Sequence, residues 1–134
     1  LYLPCTFPVP SLYLPCTSSG SCFIDGIGIG RETANFRTAQ IDGAFRGTDV
    51  EAVEMATWLL RHEGLFVGPS AALNVCGAVK LARQLGKGCV IATVLCDGGE
   101  RYRATTFNKE WLAEKKLTPG ATRGDKEGEL WFIE

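Results

Sequence analysis

The sequence has few of the residues that mark several common classes of protein. It contains one histidine, His62, and no Cys-x-x-Cys pair, so we predict no metal site. The formal net charge is −1, which gives no basic surface for nucleic acid or for an anionic membrane. No apolar run approaches the roughly 20 residues that a membrane-spanning helix needs. We therefore expect neither a nucleic-acid partner nor a membrane partner.

What remains is the composition of an ordinary globular protein. The chain has 134 residues, of which 46% are apolar and 22% charged, which suits one domain or part of one. Of its six cysteines, Cys76, Cys89 and Cys96 lie inside apolar patterns, where a free thiol behaves as a small hydrophobic group. We expect reduced cysteines and an intracellular location in preference to a disulfide scaffold.

Residues 1–19 are predicted to be a low-complexity lead-in outside the fold. The hexapeptide LYLPCT occurs at residues 1–6 and again at residues 12–17. Four of the six prolines of the chain lie in this segment, which excludes a helix and disfavours a central strand. We expect this lead-in to be disordered.

Two helices are predicted in the middle of the chain. Thr48 and Glu51 form a capping box for the first helix, and Gly64 ends it. An apolar stripe at helical spacing predicts its buried face, at Val50, Val53, Ala56, Thr57 and Leu60. His62 falls near the C-terminus of this helix, where a contact with the helix dipole is its expected role.

The second helix follows a short buried strand and a tight turn. Leu65, Phe66 and Val67 form the predicted strand, and Pro69 suits the first position of a helix. Ser70 then lies in the first turn, beside free backbone N–H groups that can meet a polar ring atom or an anion. The helix over residues 71–85 is apolar on two faces, so it is predicted to be largely buried.

An uninterrupted apolar run, CVIATVLC at residues 89–96, predicts a central strand of a parallel sheet. Asp97 and Gly98 follow at its carboxyl end, and the Gly68 turn follows the preceding strand in the same way. Ligand sites gather at the carboxyl ends of parallel strands, so the two turns are predicted to share a pocket. The fold class is α/β, part of a parallel sheet flanked by helices, and residues 118–134 form a mobile polar tail.

A glycine-rich segment, DGIGIGR at residues 25–31, allows the backbone to approach a flat ligand closely. A plain flexible loop fits this composition as well. The glycines also suggest a small nucleotide-binding protein. This is the weakest hypothesis for the chain, because the spacing is GxGxG and not the GxGxxG of dinucleotide-binding loops.

Over residues 20–117 the chain resembles the carboxyl-terminal half of the cysteine synthases. The resemblance rests on the phrases DGIGIGR, EAVEMATWLL, EGLFVGPSAALNV, AVKLARQLG, VLCDGGERY and FNKEWL. These enzymes depend on pyridoxal phosphate and have the tryptophan synthase β-type fold, fold type II. The resemblance implies β-replacement on O-acetylserine, or a related activated serine, by sulfide in cysteine biosynthesis. It also implies an amino-acid substrate, a homodimer, and a cytoplasmic or mitochondrial enzyme.

The resemblance also implies which residues bind the cofactor. Ser70 occupies the position of the serine that hydrogen-bonds the pyridine nitrogen. Gly26, Ile27 and Gly28 match the loop that lies against one side of the cofactor. Cys96 and Asp97 fall where the chain passes the edge of the ring.

Some family features differ and others are missing from the sequence. Pro69, Ala72 and Gly98 replace residues usual in the family's two turns. The Schiff-base lysine phrase and the Gly-Thr-Gly-Gly-Thr phosphate loop do not occur, so no catalytic residue is predicted. We therefore expect the chain alone to be inactive. The alternative is a non-catalytic α/β module that associates with a partner chain through exposed apolar surface.

Overall fold

The computed structural model describes residues 12–13, 23–24, 27, 34–38, 41–120 and 130–133. Within these residues the elements follow one another in a simple order, and helices dominate. They are β1 (Leu12–Tyr13), α1 (Ala34–Thr38), β2 (Gly43–Ala44), α2 (Asp49–Trp58), a π-helical turn (Leu59–Glu63), α3 (Pro69–Leu85), a 3₁₀ turn (Gly99–Tyr102) and α4 (Lys109–Glu114).

Helix α2 begins where the sequence predicts, and the π-helical turn that continues it ends at the predicted glycine. The Thr48 hydroxyl accepts a hydrogen bond from the Glu51 N–H at 3.2 Å, and the Glu51 carboxylate accepts one from the Thr48 N–H at 2.9 Å. This reciprocal pair confirms the capping box. Gly64 ends the π-helical turn in the left-handed conformation, with φ of 68°. The ring of His62 contacts the Trp58 carbonyl oxygen at 3.1 Å in the same last turn.

The buried face of α2 is only partly the predicted one. Val53 and Ala56 are buried as expected, but Val50 and Leu60 are exposed. The residues that pack in the core cluster are instead Ala52, Met55, Ala56 and Leu59, and Val53 is buried outside that cluster. Because apolar residues lie on several sides of this helix, their spacing does not by itself select the side that α3 covers.

Helix α3 packs on α2 and forms the other half of the core. Pro69 is at its first position, as predicted, and Gly86 ends it. The first half is buried, with Leu73 and Cys76 fully enclosed. A side chain at Gly47 would come within 2.6 Å of a Leu73 methyl carbon, so the loop before α2 lies directly on this helix. The last turn, from Arg83 to Leu85, is exposed, so the prediction of a largely buried helix holds for its first half only.

A buried ion pair links the two helices. The Lys80 ammonium lies 2.7 Å from the Glu51 carboxylate, and the two side chains are 10% and 3% exposed. Lys80 also donates a hydrogen bond of 2.6 Å to the Arg46 carbonyl oxygen. The Glu51 carboxylate therefore caps α2 and anchors α3 at the same time.

The structure contradicts the predicted central strand at residues 89–96. These residues have no regular secondary structure, and Val90, Val94 and Leu95 are 98%, 66% and 45% exposed. A buried strand needs strands on both sides and a layer over each face. The described residues supply no such neighbours here, so the apolar run stays uncovered.

The sheet in the described residues is correspondingly small. Strands β1 and β2 pair in parallel, with Leu12 opposite Gly43 and Tyr13 opposite Ala44. One isolated antiparallel bridge joins Val67 to Gly98. The predicted strand at residues 65–67 is reduced to this bridge.

The end of the described chain packs back onto the helices. The Arg83 guanidinium donates to the carbonyl oxygens of Ile133, at 2.7 Å, and Leu130, at 3.0 Å. Phe132 and Ile133 are buried in the same core as α2 and α3. Leu112 of α4 is also buried. No helix within the described parts of the chain is long and apolar enough to cross a membrane.

Candidate functional site

The predicted cofactor-contacting serine lies at the start of α3. Ser70 is the second residue of the helix and is 9% exposed. The N-cap residue, Gly68, has no side chain, so no side-chain hydrogen bond caps the helix. The first helical bond runs from the Ala72 N–H to the Gly68 carbonyl oxygen at 3.0 Å. A buried hydroxyl is therefore held beside the positive end of the helix dipole.

The second predicted turn lies against the first. The Gly68 N–H donates to the Asp97 carbonyl oxygen, and the Gly99 N–H donates to the Phe66 carbonyl oxygen, both at 3.1 Å. These two bonds bring the turn before Ser70 next to the turn at Asp97. The segments run antiparallel at this bridge, whereas the sequence predicted two parallel strands.

The Asp97 carboxylate points at the start of α3. Its Oδ2 accepts a hydrogen bond of 2.6 Å from the Tyr102 hydroxyl. Its Oδ1 is buried and has no hydrogen-bond partner among the described residues. A side chain at Gly68 would overlap Oδ1 and would lie 2.6 Å from a Tyr102 ring carbon. Since the φ of Gly68 is −73°, the reason for glycine here is space and not backbone conformation.

Cys96 is tied to α3 by Asn74. The Asn74 side-chain amide donates to the Val94 carbonyl oxygen at 2.9 Å and to the Cys96 sulfur at 3.3 Å. Asn74 lies four residues after Ser70, so both side chains leave the same side of the helix. The structure therefore brings Ser70, Asp97 and Cys96 to the N-terminal half of α3.

The predicted glycine-rich wall is described only at Ile27, which is half-buried and packs against the hydrophobic core. Gly26 and Gly28 lie outside the described residues. The position of this loop relative to Ser70 stays a prediction.

Sequence reasoning missed Asn74 and Tyr102. Asn74 could have been found as a polar residue one turn after Ser70 in an otherwise apolar helix. Tyr102 had no such signal, because its distance from Asp97 depends on the 3₁₀ turn between them.

The Cys76 thiol is not an activated nucleophile. Burial, reinforced by the nearby Glu51 carboxylate, raises the pKa of the Cys76 thiol far above its ordinary value. The Cys76 thiol also donates to the Glu51 carbonyl oxygen at 3.5 Å. Across the described residues, no group of three or more histidine, cysteine or acidic side chains could hold a metal ion.

Comparison with known proteins identifies the family. The model of the family described as "Pyridoxal-phosphate dependent enzyme" matches residues 10–97. The "Cysteine synthase" of Dictyostelium discoideum is 56% identical over 90 residues, which cover 67% of this chain and 24% of that protein. "Cysteine synthase 2" of Schizosaccharomyces pombe is 47% identical over 98 residues, which cover 72% of this chain and 25% of that protein. The chain thus spans about a quarter of the length of the curated relatives it matches.

The residues present fit one end of the family's cofactor. An aliphatic hydroxyl can donate a hydrogen bond to a neutral pyridine nitrogen, and Ser70 offers such a group in a largely dry position. The match to the family model includes Ser70, Cys96 and Asp97. This chain belongs to the pyridoxal-phosphate dependent enzyme family, whose fold is α/β.

Proposed function

We propose that this chain supplies the ring-nitrogen side of the cofactor pocket in an enzyme of the cysteine synthase type. The observation that carries the proposal is the buried Ser70 hydroxyl at the start of α3, inside the segment that matches the family. The proposed reaction replaces the acetate of O-acetylserine with sulfide, so that a C–O bond breaks and a C–S bond forms.

The roles proposed for the residues follow from their places in the fold. Ser70 donates a hydrogen bond from its hydroxyl to the ring nitrogen and so orients the cofactor. A neutral hydroxyl leaves this nitrogen unprotonated, which suits chemistry at the β-carbon of the substrate. Bound pyridoxal phosphate supplies the electron sink that this reaction needs.

Cys96 and Asp97 lie at the neighbouring turn and form the proposed ring-edge side of the pocket. Gly26, Ile27 and Gly28 form the proposed opposite wall. We assign no catalytic residue in this chain. Lys80, the lysine of α3, is held by Glu51 and by the Arg46 carbonyl oxygen, which supports a structural role for it.

The proposal is tested in a hybrid of the Dictyostelium discoideum cysteine synthase. Its 90 matched residues are replaced by those of this chain, which are 56% identical. We expect the hybrid to retain pyridoxal phosphate through gel filtration and to form cysteine from O-acetylserine and sulfide. Ser70→Ala in the hybrid should weaken cofactor binding roughly tenfold, because one hydrogen bond to the ring nitrogen is lost.

The matched control is Ser70→Thr, which keeps the hydroxyl. If Ser70→Ala binds the cofactor as tightly as the unchanged hybrid, Ser70 has no contact with the ring. If the hybrid folds but never retains cofactor, the segment is not part of the pocket.

The whole-protein features are proposals of the same kind. We infer that residues 20–117 form the family's domain, that Phe132 and Ile133 pack onto it, and that the parallel sheet forms in the complete fold. An amino-acid substrate, a homodimer and a cytoplasmic or mitochondrial location also follow from the family. The free thiols of Cys76, Cys89 and Cys96 support a reducing compartment.

We also infer that the 134-residue chain by itself does not catalyse the reaction, since it lacks the lysine phrase and the phosphate loop. Absorbance of protein-bound cofactor after incubation with pyridoxal phosphate and gel filtration tests this. A stoichiometric cofactor band in the isolated chain would contradict it.

A second candidate function is a non-catalytic module that associates with a partner chain. The exposure of Val90, Val94 and Leu95 favours this role, since a contiguous apolar segment in water promotes association. Sedimentation velocity separates the two possibilities for the isolated chain. A monomer at all concentrations would remove the support for the module.

A further inference from the structure

The start of α3 lacks the features that usually fix a helix N-terminus. Gly68 gives no side-chain cap, and Pro69 has no N–H to bond. Ser70, two residues later, nevertheless has to keep one orientation if it is to meet a flat ring. Contacts from residues outside α3 therefore matter for holding this turn.

The turn at Asp97 makes three contacts with the start of α3 and the residues just before it: two main-chain hydrogen bonds and one packing contact. Two main-chain hydrogen bonds of 3.1 Å join Gly68 to Asp97 and Gly99 to Phe66. The Asp97 carboxylate also packs directly on the Gly68 backbone, where a side chain on Gly68 would overlap Oδ1. A negative charge at this place is stabilised by the positive end of the α3 dipole.

The carboxylate is in turn held by Tyr102. The Tyr102 hydroxyl donates to Oδ2 at 2.6 Å, a short charge-assisted bond, and its ring closes over Gly68. With Oδ2 fixed in this way, Oδ1 stays buried without a partner among the described residues. A carboxylate released from Tyr102 would be free to rotate toward water, so the tyrosine is what keeps it on the helix.

We propose that Tyr102 and Asp97 are positioning residues for Ser70. The tyrosine hydroxyl fixes the Asp97 carboxylate, and the carboxylate fixes the first turn of α3 and with it the Ser70 hydroxyl. The proposal concerns this chain's own residues, and its link to a cofactor rests on the proposed function. The same arrangement requires a residue without a side chain at position 68.

Amide hydrogen exchange on the full 134-residue chain tests the positioning without any cofactor. Tyr102→Phe should raise the exchange rate of the Gly68 and Ala72 amides roughly tenfold, the loss expected for one charge-assisted hydrogen bond. The amides of Met55 and Ala56, in the core of α2, should change by less than about twofold. The ¹³Cβ chemical shift of Ser70 should move in the same variant.

Two further variants keep the test decisive. Asp97→Ala should reproduce the effect, and Tyr102→Phe should raise the Gly68 and Ala72 exchange rates by less in the Asp97→Ala background than it does alone, because the carboxylate to which the hydroxyl donates is then absent. Thr105→Val, which removes a hydroxyl bonded to the Tyr102 carbonyl oxygen, is the control and should leave Gly68 and Ser70 unchanged. If Tyr102→Phe does not fold, Asp97→Asn takes its place in the same measurements.

An equal rise at Gly68 and Met55 would reduce Tyr102 to general stability and overturn the proposal. An unchanged Ser70 chemical shift would overturn it too. Because none of these readouts needs pyridoxal phosphate, a failure here leaves the proposed function standing. Conversely, a hybrid that binds no cofactor while these shifts behave as expected would contradict the proposed function alone.

Discussion

Helices α2 and α3 and the segment at residues 89–96 are both strongly apolar, yet they have opposite surroundings. The helices cover each other, so Met55, Leu73 and Cys76 are fully buried. The segment meets no covering layer in the described residues, and Val90 is 98% exposed. The difference shows that an apolar run becomes core only when a neighbouring element is present to cover it.

The largest expected effect comes from removing Lys80, the buried cation that joins α3 to Glu51 of α2. Lys80→Met removes a buried cation that lies 2.7 Å from the Glu51 carboxylate, so we expect the free energy of unfolding to fall by about 3 kcal/mol. Urea denaturation measures this. Lys115→Met is the control, because Lys115 pairs with Glu114 in the open at 3.6 Å and should cost less than about 0.5 kcal/mol.

Adding Glu51→Gln to Lys80→Met should recover part of that stability. Glutamine removes the buried charge and keeps an oxygen that can accept from the Thr48 N–H. A double variant that is less stable than Lys80→Met alone would contradict this expectation, because it would show that the Glu51 charge does not destabilise the protein once Lys80 is removed.

The same substitution in the two regions tests the contrast in burial. Val53→Ala should lower the free energy of unfolding by about 2–3 kcal/mol, because it opens a cavity at a fully buried position. Val90→Ala should change it by less than about 0.5 kcal/mol, since the side chain already lies in water. Equal losses in urea denaturation would mean that the segment is covered in solution.

The buried thiol of Cys76 gives a pH-dependent version of the contrast. Because burial raises its pKa in the folded state, the thiol is protonated in both states below the unfolded pKa of about 8.5. Above that pH the unfolded state loses the proton and the folded state keeps it. The free energy of unfolding should then fall by up to about 1.4 kcal/mol per pH unit.

Urea denaturation between pH 7 and 10 measures this slope, and Cys76→Ala should reduce it. Cys96→Ala is the control, because that thiol is exposed. Equal slopes in the unchanged chain and in Cys76→Ala would show that the proton released on unfolding comes from another group.

The smallest expected effect on folding comes from adding charged side chains to the exposed segment at residues 89–96. Val90→Lys with Val94→Lys should change the free energy of unfolding by less than about 0.5 kcal/mol, because both side chains are exposed. The pair should nevertheless reduce self-association in sedimentation velocity, since it breaks the apolar patch. Unfolding of the double variant would show that the segment belongs to the core.

Features set by a few neighbouring residues could be predicted from the sequence. The capping box of Thr48 and Glu51, the end of the π-helical turn at Gly64 and the start of α3 at Pro69 are all confirmed. Each depends on local hydrogen bonding or on a fixed φ angle, so no distant contact can change it.

Features that depend on distant neighbours could not be predicted in the same way. The buried face of α2 is chosen by where α3 lies, and the predicted strand at residues 89–96 lacks neighbours in the described residues. In the site, the closeness of the Gly68 and Asp97 turns was predicted, but their antiparallel bridge and the bond to Tyr102 were not.

The central claim is that Ser70 contacts the ring nitrogen of pyridoxal phosphate. The most direct test is ¹⁵N NMR of cofactor labelled at that nitrogen and bound to the Dictyostelium discoideum hybrid. We predict the signal of a neutral nitrogen that accepts a hydrogen bond, and a shift of that signal in Ser70→Ala. A signal that is the same in both proteins would contradict the claim.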